Sequence, residues 1–236
     1  MKPSLQNAVV VLQARTGSHR LPGKALHILA GRPLVTHCLE RLIAARIGTV
    51  VLATTTASAD DALVHIADNL GVPVVRGSES DVLRRFVSVV NQFPAEVVVR
   101  ATGDNPAVDV DSPARLLTAL ETSSRDYVVE SGLPYGAGVE VFRRSVLMQA
   151  HAEAEDPEDR EHVTTWIKGS PHQCRVCVLP APTPLRRPEL RLTVDTAEDL
   201  TYMRRLLAAA GAQTRVVPLV DIIRTADRLS QLTEVA

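Results

Sequence analysis

The sequence lacks a surplus of charge of either sign: 26 Lys and Arg stand against 27 Asp and Glu, a net charge of −1. Such a balance sets up no field that would draw the whole molecule onto nucleic acid or an anionic membrane, so any anion has to be bound locally. Cysteine is scarce as well, and three residues, Cys38, Cys174 and Cys177, do not make a disulfide framework. The pair Cys174-x-x-Cys177 has one further thiol to call on, too few for zinc. Its setting, Cys174-Arg-Val-Cys177-Val-Leu, reads as strand, whereas a redox dithiol normally opens a helix, so a structural role is expected. Long apolar runs are missing too. The first, Ala8 to Leu12, is too short for a signal-peptide core or a membrane span, and Met1 to Asn7 before it is polar with a single Lys. A cytoplasmic protein without membrane or nucleic-acid partners is the expectation. Internal repeats, low-complexity tracts and a convincing Ser-His-Asp or Cys-His set are all absent.

What is present is a chain of 236 residues, 45% apolar, enough to bury a full core and expected to fold as one domain over 1–236. Ala8 to Gln13 (AVVVLQ) is a continuous β-branched run, the mark of a strand buried on both faces of a parallel sheet. Similar runs follow at Thr49 to Ala53 and Glu96 to Val99. Between the first two lies a helix opened by Pro33, with Leu34, Val35, Cys38, Leu39, Leu42 and Ile43 as its apolar stripe. Further helices are expected from Ser58, where Ser58-x-x-Asp61 has a capping-box pattern, near Ser80, and at Ser112-Pro113. This alternation predicts right-handed βαβ crossovers and a mostly parallel sheet with its site at the carboxyl ends of the strands. Residues 131 to 183 are less regular, with a Gly-rich turn, a strand at Val139 to Phe142, acidic Glu153 to Glu161 and Pro-rich Pro180 to Pro188. They read as a small insertion that completes an acceptor pocket or a subunit contact. Leu190 to Val194 returns to strand, Thr196-x-x-Asp199 caps a final helix, and Gly211 ends it.

Two places carry chemistry. After the first strand, Gln13-Ala14-Arg15-Thr16-Gly17-Ser18-His19-Arg20-Leu21-Pro22-Gly23-Lys24 holds three cations in a small-residue loop. Successive N–H groups of such a turn form an anion-binding concavity, and Arg15, Arg20 and Lys24 could neutralise a triphosphate; a solvated basic loop is the alternative. Five residues rather than four separate Gly17 from Gly23, and Ala25 follows Lys24, so this is neither a Walker loop nor a dinucleotide fingerprint. The second place is Thr102-Gly103-Asp104-Asn105-Pro106, an Asp at a strand end where the chain must turn. A lone Asp there is commonly a turn former, but Asp195 ends a later run in the same way. Two strand-end aspartates facing a basic loop suit a hard cation carrying a triphosphate.

Six ordered blocks extend these motifs: Gln13 to Lys24, Gly-Arg-Pro-Leu (Gly31 to Leu34), Arg-Gly-Ser-Glu-x-Asp-Val-Leu (Arg76 to Leu83), Val-Val-Arg-x-Thr-Gly-Asp-x-Pro (Val98 to Pro106), Arg-Glu-His-Val-Thr (Arg160 to Thr164) and Leu-Thr-Val-Asp-Thr-x-Glu-Asp-Leu (Leu192 to Leu200). Together they resemble the cytidylyltransferases of the SpsF type, from spore coat polysaccharide biosynthesis, which are related to the synthetases of CMP-activated acidic sugars. The resemblance implies a three-layer Rossmann-like nucleotidyltransferase fold of the glycosyltransferase-A type. It also implies an Mg²⁺-dependent transfer from CTP, or another NTP, to a sugar-like acceptor, in a homodimer. Carried over by position, Arg15, Lys24 and Asp104 would be catalytic and Asp104 and Asp195 would hold the metal. The nucleotide would meet Leu12, Gln13, Ala14, Arg15, Gly17, Ser18, Arg20, Lys24 and Gly103, with Arg76, Ser78 and Asp81 near it or the acceptor. Arg100, Glu140, Arg160 and His162 would face the acceptor. Plainer roles stay open for some of these: Glu140 facing solvent, Arg160 pairing with Asp156, His162 pairing with Glu158 or Glu161, and Trp166 packing in the core. His19 stands where relatives mostly carry Thr or Ser, Asn105 where Cys is frequent, and Thr165-Trp166 where Pro-Tyr is common, which leaves acceptor identity open. A glycosyltransferase on the same fold and a non-enzymatic nucleotide-binding module are the rival expectations.

Overall fold

The computed structural model describes residues 7–234; the polar start, expected to carry no targeting signal, lies outside the described residues up to Gln6. The chain runs β1 (Ala8–Gln13), a short hairpin of β2 (Ile28–Leu29) and β3 (Arg32–Pro33), then α1 (Leu34–Ala44), β4 (Thr49–Thr55), α2 (Asp61–Asn69), β5 (Val74–Gly77), α3 (Val82–Gln92), β6 (Val97–Thr102) and α4 (Ser112–Thr122). It continues through β7 (Tyr127–Ser131), β8 (Glu140–Arg143), α5 (Arg144–Glu153), α6 (Pro157–His162), α7 (Thr165–Gly169), β9 (Val176–Pro180), α8 (Ala197–Ala209) and α9 (Leu219–Glu234).

Seven strands form one sheet in the order β5-β4-β1-β6-β8-β7-β9. Its first four strands are mutually parallel, and β8 runs antiparallel to both β6 and β7. Alternation along a strand decides which layer each side chain joins. In β1, Val10 and Leu12 pack with α1, α4 and α8, while Val9 and Val11 pack on the other face with α3 and α5. All four are almost inaccessible to water, and each such side chain contributes about 1.5–3 kcal/mol of transfer free energy. Helices on both faces make three layers. Residues 131–183 supply β8, which sits inside the sheet, and β9 at its edge.

Four local expectations are corrected. Ser58 opens only a 3₁₀ turn over 58–60, and its capping box with Asp61 does not form; Asp60, the residue between, is buried and takes the hydrogen bonds. Leu190 to Val194 is extended but not a sheet strand, because its backbone pairs with loops: Leu192 N–H donates to the Tyr135 carbonyl (2.8 Å) and Val194 N–H to that of Asp104 (2.9 Å). The helix capped by Thr196 and Asp199 ends at Gly211 as read, but α9 follows it, so it is not the last. Ile43, assigned to the buried stripe of α1, is exposed. Cys174 and Cys177 are free thiols, Cys177 in β9, and Trp166 packs partly buried against the core beneath α3 and α5.

Candidate active site

A cleft of about 690 Å³ opens at the carboxyl ends of β1 and β6, the place a parallel sheet reserves for ligands. Backbone bonds fix its floor. Ala14 N–H donates to the Ala53 carbonyl (3.2 Å) and Gly103 N–H to that of Gln13 (2.8 Å), drawing the turns after β1, β4 and β6 together. A Cβ on Gly103 would stand 2.6 Å from that of Ala14, so only glycine allows this approach. The loop after β1 is anchored by Asp60, whose carboxylate accepts from Thr16 N–H (2.8 Å) and from the hydroxyls of Thr16 (2.6 Å), Thr54 (2.9 Å) and Thr55 (2.5 Å). Burial alone would raise the Asp60 pKa, but these donors hold it down at about 2.

At the centre, the Lys24 ammonium donates to Asp104 Oδ2 and to Asp195 Oδ1, each at 3.0 Å. Carbonyl contacts bring the two aspartates together, since Thr193 Oγ1 (3.2 Å) and Val194 N–H both donate to the Asp104 backbone oxygen. Arg20 reaches Asp195 Oδ1 (3.0 Å) and Arg191 reaches Oδ2 (2.8 Å), while Thr102 donates to Asp104 Oδ1 (2.6 Å). Burial opposes charge on both partners, yet it is outweighed: the carboxylates, Asp104 foremost, raise Lys24 above its usual value, and Lys24, Arg20 and Arg191 hold Asp195 below the ordinary carboxylate range. Among the described residues no three His, Cys, Asp or Glu side chains cluster as a metal cage. An ion here would have two carboxylates and take its remaining oxygens from ligand and water, a donor set that hard Mg²⁺ accepts.

The wall formed by β6, β8 and α7 is built on Glu140. Its carboxylate pairs with Arg100 and accepts from Tyr127 (2.6 Å), Thr164 (3.1 Å) and Lys168 (3.2 Å). Burial pushes its pKa upward, but Arg100 and then Lys168 bring it down to about 2. Arg100 also donates to Gln13 Oε1 (3.0 Å), tying this wall to the end of β1. Glu140 therefore does not face solvent.

Of the residues singled out from sequence, Gln13, Ala14, Arg15, Gly17, Ser18, Arg20, Lys24, Arg100, Gly103, Asp104, Glu140, His162 and Asp195 line this cleft. Five do not. Leu12, expected to offer backbone groups to the base, is sealed inside the sheet, the whole residue 0% exposed. Arg76 turns to Asp61 (2.6 Å) and to the carbonyls of Thr55 and Ala57 (both 2.7 Å), and Ser78 accepts from Asp81 N–H at 3.1 Å. Asp81 caps α3 and binds Arg160 (2.6 Å), so Arg160 pairs across the fold and not with Asp156. Arg15 is engaged by Glu79 (3.2 Å) and Glu161 (3.5 Å). Sequence reasoning passed over Arg85, Tyr135, Glu161, Lys168 and Thr193, which also line the cleft. Of these, Tyr135 follows a Pro in the Gly-rich turn and lies under the Arg191 guanidinium, 4.9 Å from its ring centre.

Comparison with known proteins places this geometry. The family model described as Cytidylyltransferase matches residues 9–221. The spore coat polysaccharide biosynthesis protein SpsF of Bacillus subtilis is 34% identical over 218 residues, 90% of this chain and 91% of that one. A 3-deoxy-manno-octulosonate cytidylyltransferase of Geobacter sulfurreducens is 30% identical over 128 residues, 53% of this chain and 49% of the relative. The solved structure of a cytidylyltransferase from Leptospira borgpetersenii superposes with a TM-score of 0.85 at 25% identity, covering 96% of each chain. The three-layer α/β architecture is thus the nucleotidyltransferase fold.

Proposed function

This chain belongs to the cytidylyltransferase family, and from that premise we propose that it transfers CMP from CTP to an oxygen of a sugar or sugar-like acid, with release of pyrophosphate. The observation that carries the reading is the Lys24 ammonium held between Asp104 and Asp195, each 3.0 Å away, under a loop that adds Arg15 and Arg20. The relatives support the substrates: one is named for polysaccharide biosynthesis and another, matched over about half its length, for cytidylyl transfer to 3-deoxy-manno-octulosonate.

In the reaction an acceptor oxygen attacks the α-phosphorus in line. The new O–P bond forms as the bond to the bridging oxygen breaks; pyrophosphate leaves with the electron pair, and the acceptor proton passes to solvent. The protein has little covalent work, so orientation and charge carry the rate. Arg15, Arg20 and Lys24 would bind the phosphates, with Gly17, Ser18 and Gly103 offering backbone close by and Gln13 and Ala14 edging the base. Asp104 and Asp195 would hold Mg²⁺, which when bound supplies positive charge against the triphosphate. A unit charge at 4 Å contributes about 1 kcal/mol in water and about 4 at an effective dielectric of 20, so closing the cleft strengthens each of these cations. Arg100, His162 and Lys168 would face the acceptor, with Glu140 as the residue that positions Arg100 and Lys168.

The same reading has residues 131–183 complete the acceptor pocket and form a homodimer contact in the cytoplasm. Val178 is exposed on edge strand β9, and among the described residues no helix is long and apolar enough to cross a membrane. A glycosyltransferase commonly holds its metal through Asp-x-Asp, whereas Asp104-Asn105-Pro106 lacks the second Asp, with Pro106 in its place. Pyrophosphate release, screened with four NTPs against sugar acids, sugar phosphates and phosphonates, tests the proposal. Release with CTP and one acceptor class is expected; sugar transfer from a nucleotide-sugar without pyrophosphate would replace it with the glycosyltransferase.

A further inference from the structure

A second cavity, of about 290 Å³, lies beside the active-site cleft at the Gly-rich turn that joins β7 to β8. The two meet at Arg100, Asn105, Tyr135 and Gly136, which line both. Whole ligand sites begin at about 300 Å³, so this volume suits one substituent of a ligand whose body lies in the cleft. Val129, Leu133, Pro134 and Val139 make much of its wall apolar. The charged side chains that border it are already engaged: Arg100 pairs with Glu140, and Glu130 accepts from Ser112 and from Arg115 Nε (2.7 Å).

Asn105 is the exception. The Asp104 carboxylate only accepts, so the Thr102 hydroxyl donates to it (2.6 Å), and the Thr102 oxygen is left to accept from Asn105 Nδ2 (2.9 Å). This relay fixes which way the amide faces. Nδ2 is spent, and Oδ1 is turned away from Thr102 with no donor among the described residues. Gly136 keeps space beside that oxygen: a Cβ there would stand 2.9 Å from Oδ1 and 2.8 Å from Thr193 N, and its φ of +91° is one that glycine adopts freely. A group that answers this arrangement donates to Oδ1 and continues into apolar surroundings. A hydroxyl ends at the atom that donates, and an ammonium would bring a charge that the apolar wall does not pair. A secondary amide does both. Its N–H donates and its acyl end fills the cavity, where Gly132 and Gly138 have N–H groups with no acceptor among the described residues to meet its carbonyl.

We propose that Asn105 is a specificity-determining residue for the acceptor, which carries an acylamino group with its N–H on Asn105 Oδ1 and its acyl end in the side cavity. The inference rests on the cytidylyl-transfer reading above, which puts the reacting centre at Asp104, one residue away. Its test is pyrophosphate release from CTP by the full chain as wild type, Asn105→Cys and Asn105→Leu. The acceptors are sugar acids and sugar phosphates in matched forms, with an acetamido, a free amino or a hydroxyl group at one ring carbon. The wild type is expected to favour the acetamido form by about tenfold to a hundredfold in kcat/KM. Both variants remove the carbonyl, so each should narrow that preference to less than about threefold, with the KM for CTP moving by less than about threefold. Disturbance of Thr102 and Asp104 alone would slow all forms alike and leave their ratio intact, so the ratio separates recognition from positioning. If neither variant folds, the wild-type preference decides alone. A wild type that uses the hydroxyl or amino form as well as the acetamido form overturns the inference, as does an unaltered ratio in folded variants. Absence of release with every form is a separate result and removes the transfer reading, and this inference with it.

Discussion

Two carboxylate clusters border the same cleft, and they differ in how fully their bonds are satisfied. Glu140 is saturated: Arg100, Tyr127, Thr164 and Lys168 all bond to it, and its side chain is only 15% exposed. Asp104 and Asp195 are held instead by a cation they share, Lys24, and by two solvent-open arginines on Asp195, Arg20 with 69% and Arg191 with 43% of the side chain exposed. A saturated buried network fixes geometry, because any displacement strands a charge. Cations shared between two acids on an open cleft can move onto a ligand's phosphates with little loss. One cluster therefore shapes the site, and the other is free to take part in its chemistry.

Substitution should separate the two by readout. Asp104→Asn is expected to lower turnover by about a thousandfold, roughly 4 kcal/mol of barrier, while the melting temperature shifts by less than about 3 °C because Asp195 still holds Lys24. Steady-state pyrophosphate release and a thermal melt check it, and unchanged turnover would remove Asp104 from the chemistry. Glu140→Leu should do the reverse. Leaving Arg100 buried without its partner costs about 3–5 kcal/mol and on the order of 10 °C in melting temperature, while turnover per folded molecule should fall less than in Asp104→Asn, through the displaced Arg100 and Lys168. Equal melting of Glu140→Leu and the wild type would erase the contrast.

The active cluster was the more legible of the two in the sequence. Asp104 and Asp195 each close an apolar run, and Lys24 closes a cationic glycine turn, so local pattern located them. Glu140 could not be read in this way. Its contact with Arg100 exists because β8 slips antiparallel between β6 and β7, a strand order that no local pattern encodes. Arg76 lies in a matching block, and on β5 its side chain turns along the sheet edge to Asp61 and the carbonyls of Thr55 and Ala57, contacts that no local pattern announces. Arg85 sits beside exposed Arg84, and only tertiary packing distinguishes the two. Asp60 hid next to a capping pattern that assigned the work to Ser58 and Asp61.

Acid should expose the shaping cluster next. Glu140 is held at about 2 from an ordinary 4.5, so the folded state binds this proton less readily than the unfolded chain. The stabilisation is fully present above about pH 4.5 and disappears as pH falls through about 2, roughly 3 kcal/mol in all. Melting temperature followed from pH 6 to pH 2 should fall steeply in the wild type and less steeply in Glu140→Gln. Parallel curves would show that the carboxylate is not depressed in the folded protein.

The smallest effect probes where the two behaviours meet. Thr196 caps α8 by accepting from Asp199 N–H (3.2 Å), and the Asp199 carboxylate accepts in return from the N–H groups of Thr196 (3.1 Å) and Asp195 (2.9 Å). The capping box thus fixes the backbone that carries one of the two central aspartates. Thr196→Ala should cost about 1 kcal/mol, or a few degrees of melting temperature. Turnover should fall only severalfold, because Lys24 and Arg191 still hold the Asp195 side chain. Thr196→Ser keeps the hydroxyl and should restore both. A loss of rate as large as that of Asp104→Asn, with melting unchanged, would mean that the cap sets the aspartate's position rather than the helix's stability, and that the active cluster depends on a rigid backbone as strictly as Glu140 does.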